Sequence, residues 1–275
     1  MRRFVKRIVL GVQYDGNGWQ GWQKQPSGNT VQDALEKALR QFCNIEVNTV
    51  CAGRTDAGVH GVEQVVHFDT PLIRTPYSWV NGVNAFLPDT VAVRWARELE
   101  LVAPDGDQFH ARFGARARTY HYVLLNDKIR SPLLIGRAGW VFRPLDVEKM
   151  RAGADYLLGE HDFSAFRAAE CQAKNPVKHM YSIQIRQQAE IIVITLRASA
   201  FLHHMVRNIV GSLIFVGTGK RSPEWMAELL AGRDRSVAAP TFMPDGLYLA
   251  KIEYDEKWAL PQSPSAGIPG FLPLL

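Results

Sequence analysis

The sequence predicts an α+β fold of two similar lobes, each a mostly antiparallel sheet backed by helices. Three observations predict it. Strand-like runs bounded by Gly, Asp and Asn turns recur along the chain. Helical periods interrupt them without the strict strand–helix alternation of a parallel sheet. The order of elements that fills residues 5–100 begins again after about residue 105. The expected division is residues 1–104 as an N-terminal lobe, 105–262 as a C-terminal lobe and 263–275 as an irregular tail. No repeat links the lobes at sequence level.

In order along the chain, residues 5–14 (VKRIVLGVQY) read as a strand ending in the turn Asp15-Gly16-Asn17-Gly18. Thr30, with Asp33 three residues on, starts a helix in which Val31, Ala34, Leu35, Ala38, Leu39 and Phe42 recur at helical spacing. Residues 46–52 read as a second strand, the Gly-rich CAGRTDAGVHG as a loop, and VEQVVHFD as a third strand. Residues 76–86 are weakly helical and 91–100 strand-like. In the second lobe RARTYHYVLLN is a strand, 146–158 a helix, and 179–187 with 190–198 a hairpin. FLHHMVRNIVGSLIFVG is a long helix, PEWMAELLAG a short one and GLYLAKIEY the last strand. The tail ALPQSPSAGIPGFLPLL carries Pro, Gly and Ser and no period of either kind.

Hydrophobic residues make up 47% of the 275 and charged residues 21%, the balance of a soluble globular protein. Lys and Arg number 32 against 27 acidic residues, a net +5 that suits a polyanionic partner without requiring one. Cys43, Cys51 and Cys171 form no CxxC pair, so neither a disulfide framework nor a zinc knuckle is indicated and a reducing, cytoplasmic setting is expected. The basic, briefly apolar start reads as a first strand, not a signal peptide, and no run approaches a membrane span.

Three stretches carry chemistry. In CAGRTDAGVHG, Asp56 is either a turn residue or a loop carboxylate able to act as nucleophile or base, with glycines on both sides that let a substrate approach. Arg54 is a phosphate ligand, a wedge beside a substrate, or a solvated loop arginine. In HHMVRNIVGSL, helical spacing puts His203, Arg207 and Gly211 on one stripe with Asn208 beside it. Arg207 in so apolar a helix faces solvent or has an anionic partner. In RARTYHY, strand alternation puts Arg116, Arg118, Tyr120 and Tyr122 on one face. That is either a footprint for phosphates and an unstacked base or a half-buried face whose tyrosines belong to the core. The eight histidines show no metal-ligand spacing, so no metal is expected, and there is no P-loop or GxSxG elbow.

These blocks, with YDGNGWQGWQKQ, FHARFGARARTYHY and GLYLAKIEY, resemble in the same order the tRNA pseudouridine synthase A (TruA) family, from about residue 5 to residue 262. The resemblance implies two sheets adjoining around a central basic cleft and a cofactor-free isomerisation of uridine to pseudouridine. It places the target uridines at about positions 38, 39 and 40 of the tRNA anticodon stem-loop, reached by base flipping. It implies that Asp56 is the nucleophile, that Arg54 displaces and holds the base, that Tyr120 stacks on it and that Arg207 pairs with the carboxylate. Phe109, His110, Ala111, Arg112 and Phe113, the loop Glu170, Cys171, Gln172, Ala173 and Lys174, and the basic side chains Arg74 and Lys128 are the implied RNA contacts. The implied partners are the tRNA anticodon arm and a second copy in a homodimer. Where the family's loop ends in Arg this chain has Lys174, which offers a point charge in place of a bidentate fork.

Two rival functions share parts of the pattern. A glycosidase-type hydrolase would use Asp56 with a second carboxyl group, for which Glu63 and Asp69 are nearest in sequence. A non-catalytic RNA-binding module would use the Arg/Tyr strand and leave Asp56 without a task.

Overall fold

A computed structural model describes residues 5–103 and 105–261. Its described residues divide into two units, the first running to Arg116 and resuming at Leu249, the second running from Ala117 to Tyr248.

Unit 1 begins with β1 (Lys6–Tyr14), followed by α1 (Val31–Cys43). Thr30 caps α1 as its pattern predicts: its hydroxyl oxygen accepts from the Asp33 backbone and donates to the Asp33 carboxylate. Asn44, left-handed at φ 55°, ends the helix through its N–H to the Arg40 carbonyl. β2 (Val50–Cys51) is much shorter than the strand expected over 46–52. The reason lies in Glu36, which takes the Thr49 backbone and hydroxyl at 2.8 and 2.9 Å and draws that residue onto α1. β3 (His60–Thr70), α2 (Pro76–Asn84) and β4 (Val91–Glu100) complete the lobe, with Thr75 capping α2 and Pro76 in its first turn.

β1 lies between β3 and β4, antiparallel to both. Alternation sends Ile8, Leu10, Val12 and Tyr14 to the face covered by Leu35 and Leu39 of α1 and Trp79 and Val83 of α2. That cluster is the core of the unit. The other face is covered too. Gly11 leaves room for the Trp95 indole, and the stretch 109–116 packs nearby: Phe109 is fully buried against Tyr254, Trp258 and His67. Arg7 donates to the Phe109 carbonyl and the Tyr254 hydroxyl to the Ala111 carbonyl. Residues 105–116 therefore stay with unit 1, which puts the changeover at Arg116 and Ala117 and not near residue 104.

Unit 2 contains β5 (Ala117–Asn126), β6 (Gly139–Val141), α3 (Val147–Asp155), β7 (Gly159–Asp162), β8 (Val177–Gln188), β9 (Ile191–Ala198), α4 (Met205–Gly217) and α5 (Trp225–Gly232). The strand order is β5-β9-β8-β7, all antiparallel, with β6 parallel to β5. The β8–β9 hairpin matches expectation. β6 and β7 do not figure in the sequence reading, because three or four residues such as GWV and GEHD show no alternation. α4 packs on α3, where Gly153 admits Leu213 and Val216. A final strand, β10 (Leu247–Glu253), returns the chain to unit 1, where it lies beside β3.

α4 corrects one expectation. His204 has φ 60°, so the helix starts at Met205 and residues 201–204 lie outside it. His203 thus leaves the stripe expected of it, while Arg207 and Gly211 keep their one-turn spacing. No helix among the described residues is long and apolar enough to cross a membrane. The tail expected to be irregular, 263–275, lies outside the described residues.

Candidate active site

Asp56 sits half-buried in the loop between β2 and β3, and that loop is tied down on every side within unit 1. At its start, Gly53 exchanges two hydrogen bonds with the fully buried Gln64 side chain. Next to the carboxylate, the Thr55 and Tyr14 hydroxyls share a 2.8 Å bond, and the Thr55 carbonyl accepts from the Trp22 N–H at 3.0 Å. Beyond it, Val59 N–H donates to the Asp56 carbonyl and closes a turn whose third residue, Gly58, has φ 77°. Gly58 N–H donates to the Trp19 carbonyl, and the His60 ring nitrogen accepts from Gly16 N–H at 3.0 Å. The segment 14–22 is thus a brace for the loop. Gly21 makes the close approach possible: at φ 89°, a Cβ there would lie 2.8 Å from the Thr55 carbonyl.

Arg54 is exposed on the same loop. Burial pushes the nearby Cys51 thiol up to about 11, against the opposite pull of Arg54 and then Arg112. Both guanidinium charges are thus felt at the Cys51 thiol. Within the 109–113 stretch, Phe109 and Ala111 are wholly buried, while His110, Arg112 and Phe113 reach the surface, with Phe113 78% exposed. The His110 ring accepts from the backbone of Arg112 and of Phe113, which holds them in a tight turn. Arg74 is exposed, its guanidinium over the Phe42 ring at 5.8 Å.

In unit 2, β5 carries the expected alternation with two fates for its tyrosines. Tyr122 is fully buried, donates to the Met243 carbonyl at 2.7 Å, and burial pushes its phenol far up. The core reading therefore holds for Tyr122. Tyr120 is 8% exposed, its ring packed edge-on against Phe201 at 5.0 Å, so its orientation is set. Arg118 donates to the Ser199 carbonyl, and Arg116, just outside the strand, pairs with Asp255 within unit 1.

Arg207, on the first turn of α4, is half-buried and held by a strap over residues 240–243. Its Nε donates to the Phe242 carbonyl at 2.8 Å. Gly211, one turn on, lets the strap close in, since a Cβ would lie 2.6 Å from the Pro240 carbonyl. Asn208, fully buried beside Arg207, anchors the strap: its Oδ1 accepts from Thr241 at 2.7 Å and Arg235 at 3.0 Å, and its Nδ2 donates to the Phe166 carbonyl. The guanidinium is aimed by backbone and not left to swing. In the 170–174 loop, Glu170, Gln172 and Lys174 are exposed, Ala173 is half-buried and Cys171 is buried, its sulfur accepting from the His203 backbone. Lys128 is exposed after β5.

The two carboxylates of the hydrolase alternative both lie on β3. Asp69 lies at the far end of β3, about 30 Å along the strand from His60, and is gripped by Arg7 at 2.7 and 2.8 Å. Glu63 is 5% exposed within the strand. Sequence reasoning passed over Tyr14, Thr55, Gln64, Asn208 and Thr241 as site residues. The available signal was a polar residue inside an otherwise apolar run, as in VEQVVHF and MVRNIVG. A buried amide must be hydrogen-bonded: Gln64 bonds the Gly53 backbone at the start of the Asp56 loop, and Asn208 bonds Thr241 on the strap that holds Arg207.

A family model described as tRNA pseudouridine synthase matches residues 11–114 and 154–255. The tRNA pseudouridine synthase A of Janthinobacterium sp. (strain Marseille) is 68% identical over 257 residues, 94% of this chain and 95% of that protein. Those of Herminiimonas arsenicoxydans and Paraburkholderia xenovorans (strain LB400) are 64% and 58% identical, over 94% and 96% of this chain and 93% and 96% of theirs. Against a chain in the crystal structure of a Cbf5-Nop10-Gar1 complex the identity is 12% and the TM-score 0.32, covering 88% of this chain and 48% of that one. On the family match and these identities, the chain belongs to the tRNA pseudouridine synthase family.

Proposed function

We propose that this chain isomerises uridine to pseudouridine in the tRNA anticodon stem-loop, at about positions 38, 39 and 40, by flipping the target base out of its stack. The N1–C1′ glycosidic bond breaks, a C5–C1′ bond forms, C5 loses its proton and N1 gains one. No oxidant, reductant or group donor enters that balance. Asp56 is the nucleophile. The observation that carries this reading is a half-buried carboxylate set on a loop that is bonded before, at and after it. Attack at C1′, addition to the pyrimidine ring and passage through a glycal each need one carboxylate oxygen held still, and a fixed loop supplies it.

The remaining roles follow from charge and shape. Arg54, exposed on the loop, displaces the base and holds the strand it leaves. Tyr120 stacks on the flipped base, an interaction worth roughly 1–3 kcal/mol in other systems, which offsets part of the unstacking. Arg207 serves the carboxylate as its cation. Arg112, Phe113, Lys174, Arg74 and Lys128 meet the anticodon arm, and the working species is a homodimer in the cytoplasm.

The test is Asp56→Ala. Pseudouridine formation on unmodified tRNA is expected to vanish, while tRNA affinity stays within about tenfold, or ~1.4 kcal/mol. Nucleotide-resolution mapping of the product reads both yield and position. Surviving activity refutes the nucleophile, modification elsewhere in the tRNA refutes the site, and release of free uracil would favour the hydrolase.

A further inference from the structure

We propose that Tyr14 and Thr55 form a positioning pair that sets the Asp56 carboxylate, a role resting on the reading of Asp56 as nucleophile. Their hydroxyls share a hydrogen bond of 2.8 Å, with the residues 3% and 7% exposed. Thr55 directly precedes Asp56, and its carbonyl is held in turn by Trp22 N–H at 3.0 Å. The residue in front of the carboxylate is therefore gripped at its side chain by β1 and at its carbonyl by the 15–22 segment. Two independent holds on one residue remove the rotation that would let the following carboxylate drift.

Tyr14 is itself immobile. Its ring packs against Gly61, where a Cβ would come within 2.4 Å of the ring, and it tilts onto Trp22 at 5.6 Å between centroids. A phenylalanine would fill the same apolar space. The hydroxyl buries a polar group, which is unfavourable unless it is bonded, and its bond goes to the residue beside the nucleophile. A displacement of about 1 Å at a reacting group costs on the order of 10²-fold in rate, so the pair governs turnover and not substrate binding.

Tyr14→Phe and Thr55→Val each remove one hydroxyl, and Thr55→Ser keeps it. The assay is single-turnover pseudouridine formation with enzyme in excess over an unmodified tRNA transcript bearing one target uridine in its anticodon stem-loop. The rate constant is expected to fall about tenfold in Tyr14→Phe and in Thr55→Val, and no further in the double variant, because one shared bond can be lost only once. Thr55→Ser is expected within about twofold of the parent, with tRNA affinity and reaction amplitude unchanged throughout. Reduced amplitude at an unchanged rate constant would show a bond that only maintains the fold, and losses that multiply in the double variant would show two hydroxyls acting apart. Either result overturns the pair, as would parental rates in both single variants. Asp56→Ala in the same assay separates the two readings. If it is active, the nucleophile assignment fails; if it is inert beside fully active Tyr14→Phe, only the positioning pair fails.

Discussion

At Gly21 a single hydrogen stands where any other side chain would meet the Asp56 loop. Its φ of 89° already disfavours an L-residue, and a Cβ would press on the Thr55 carbonyl and on the Asp56–Ala57 peptide at 2.8–3.1 Å. The obstacle is backbone, which cannot turn aside as a flexible side chain could. Gly21→Ala is expected to destabilise unit 1 by roughly 1–3 kcal/mol and to lower turnover more than it weakens tRNA binding. Urea denaturation and steady-state kinetics measure the two effects. Unchanged kcat would mean that the brace and the loop move independently. The same scale explains the two tyrosines of β5: alternation gives them one face, but Tyr122 is fully buried with its hydroxyl on the Met243 carbonyl, while Tyr120 packs edge-on against Phe201.

At the scale of elements, buried histidines act as fasteners for particular segments. The His67 ring on β3 accepts from Ala111 N–H at 3.1 Å, and so holds the 109–113 stretch only while that nitrogen is unprotonated. Burial first, then Arg7 and His110, holds His67 down at about 4, from an ordinary 6.5. Burial does the same to His121 on β5, also to about 4. Both pKa values are lower folded than unfolded, so the stabilisation is whole above pH 6.5 and is lost as pH falls toward 4, where the unfolded chain binds protons that the folded one refuses. Each group is expected to withdraw roughly 1–3 kcal/mol over that window. The urea midpoint should drop between pH 7 and pH 5, and less steeply in His67→Gln. An equal slope in that variant would remove His67 from the account.

For the whole molecule, charge and core divide the work of the FHARF stretch. Arg112 is exposed and Phe109 is not, although only two residues separate them. Arg112→Ala and Lys174→Ala are each expected to flatten the salt dependence of tRNA binding by about one phosphate contact, with little loss of stability. Phe109→Ala should instead cost roughly 3–5 kcal/mol of stability and leave the salt slope intact. Filter binding across salt, set beside thermal unfolding, distinguishes the two. A Phe109 variant that is stable but blind to tRNA would restore that ring to the RNA contacts.

The sequence by itself determined the α+β class, the order of the long elements, the Thr30 cap, the β8–β9 hairpin and the identity of Asp56, Arg54, Tyr120 and Arg207 as residues to follow. Each is written in a local signal: a hydrophobic period, a capping pair, a charge among glycines. Tertiary structure alone decided that Phe109 and Ala111 are buried, that β2 shrinks to two residues, that α4 starts only at Met205, that residues 105–116 and the end of β10 belong with unit 1, and that Tyr14, Gln64 and Asn208 bond the segments around Asp56 and Arg207. Those outcomes depend on partners far away in the chain, such as Tyr254 for Ala111, Thr241 for Asn208 and Thr55 for Tyr14. A local pattern states what a residue can bond; only the folded chain brings the group it bonds to.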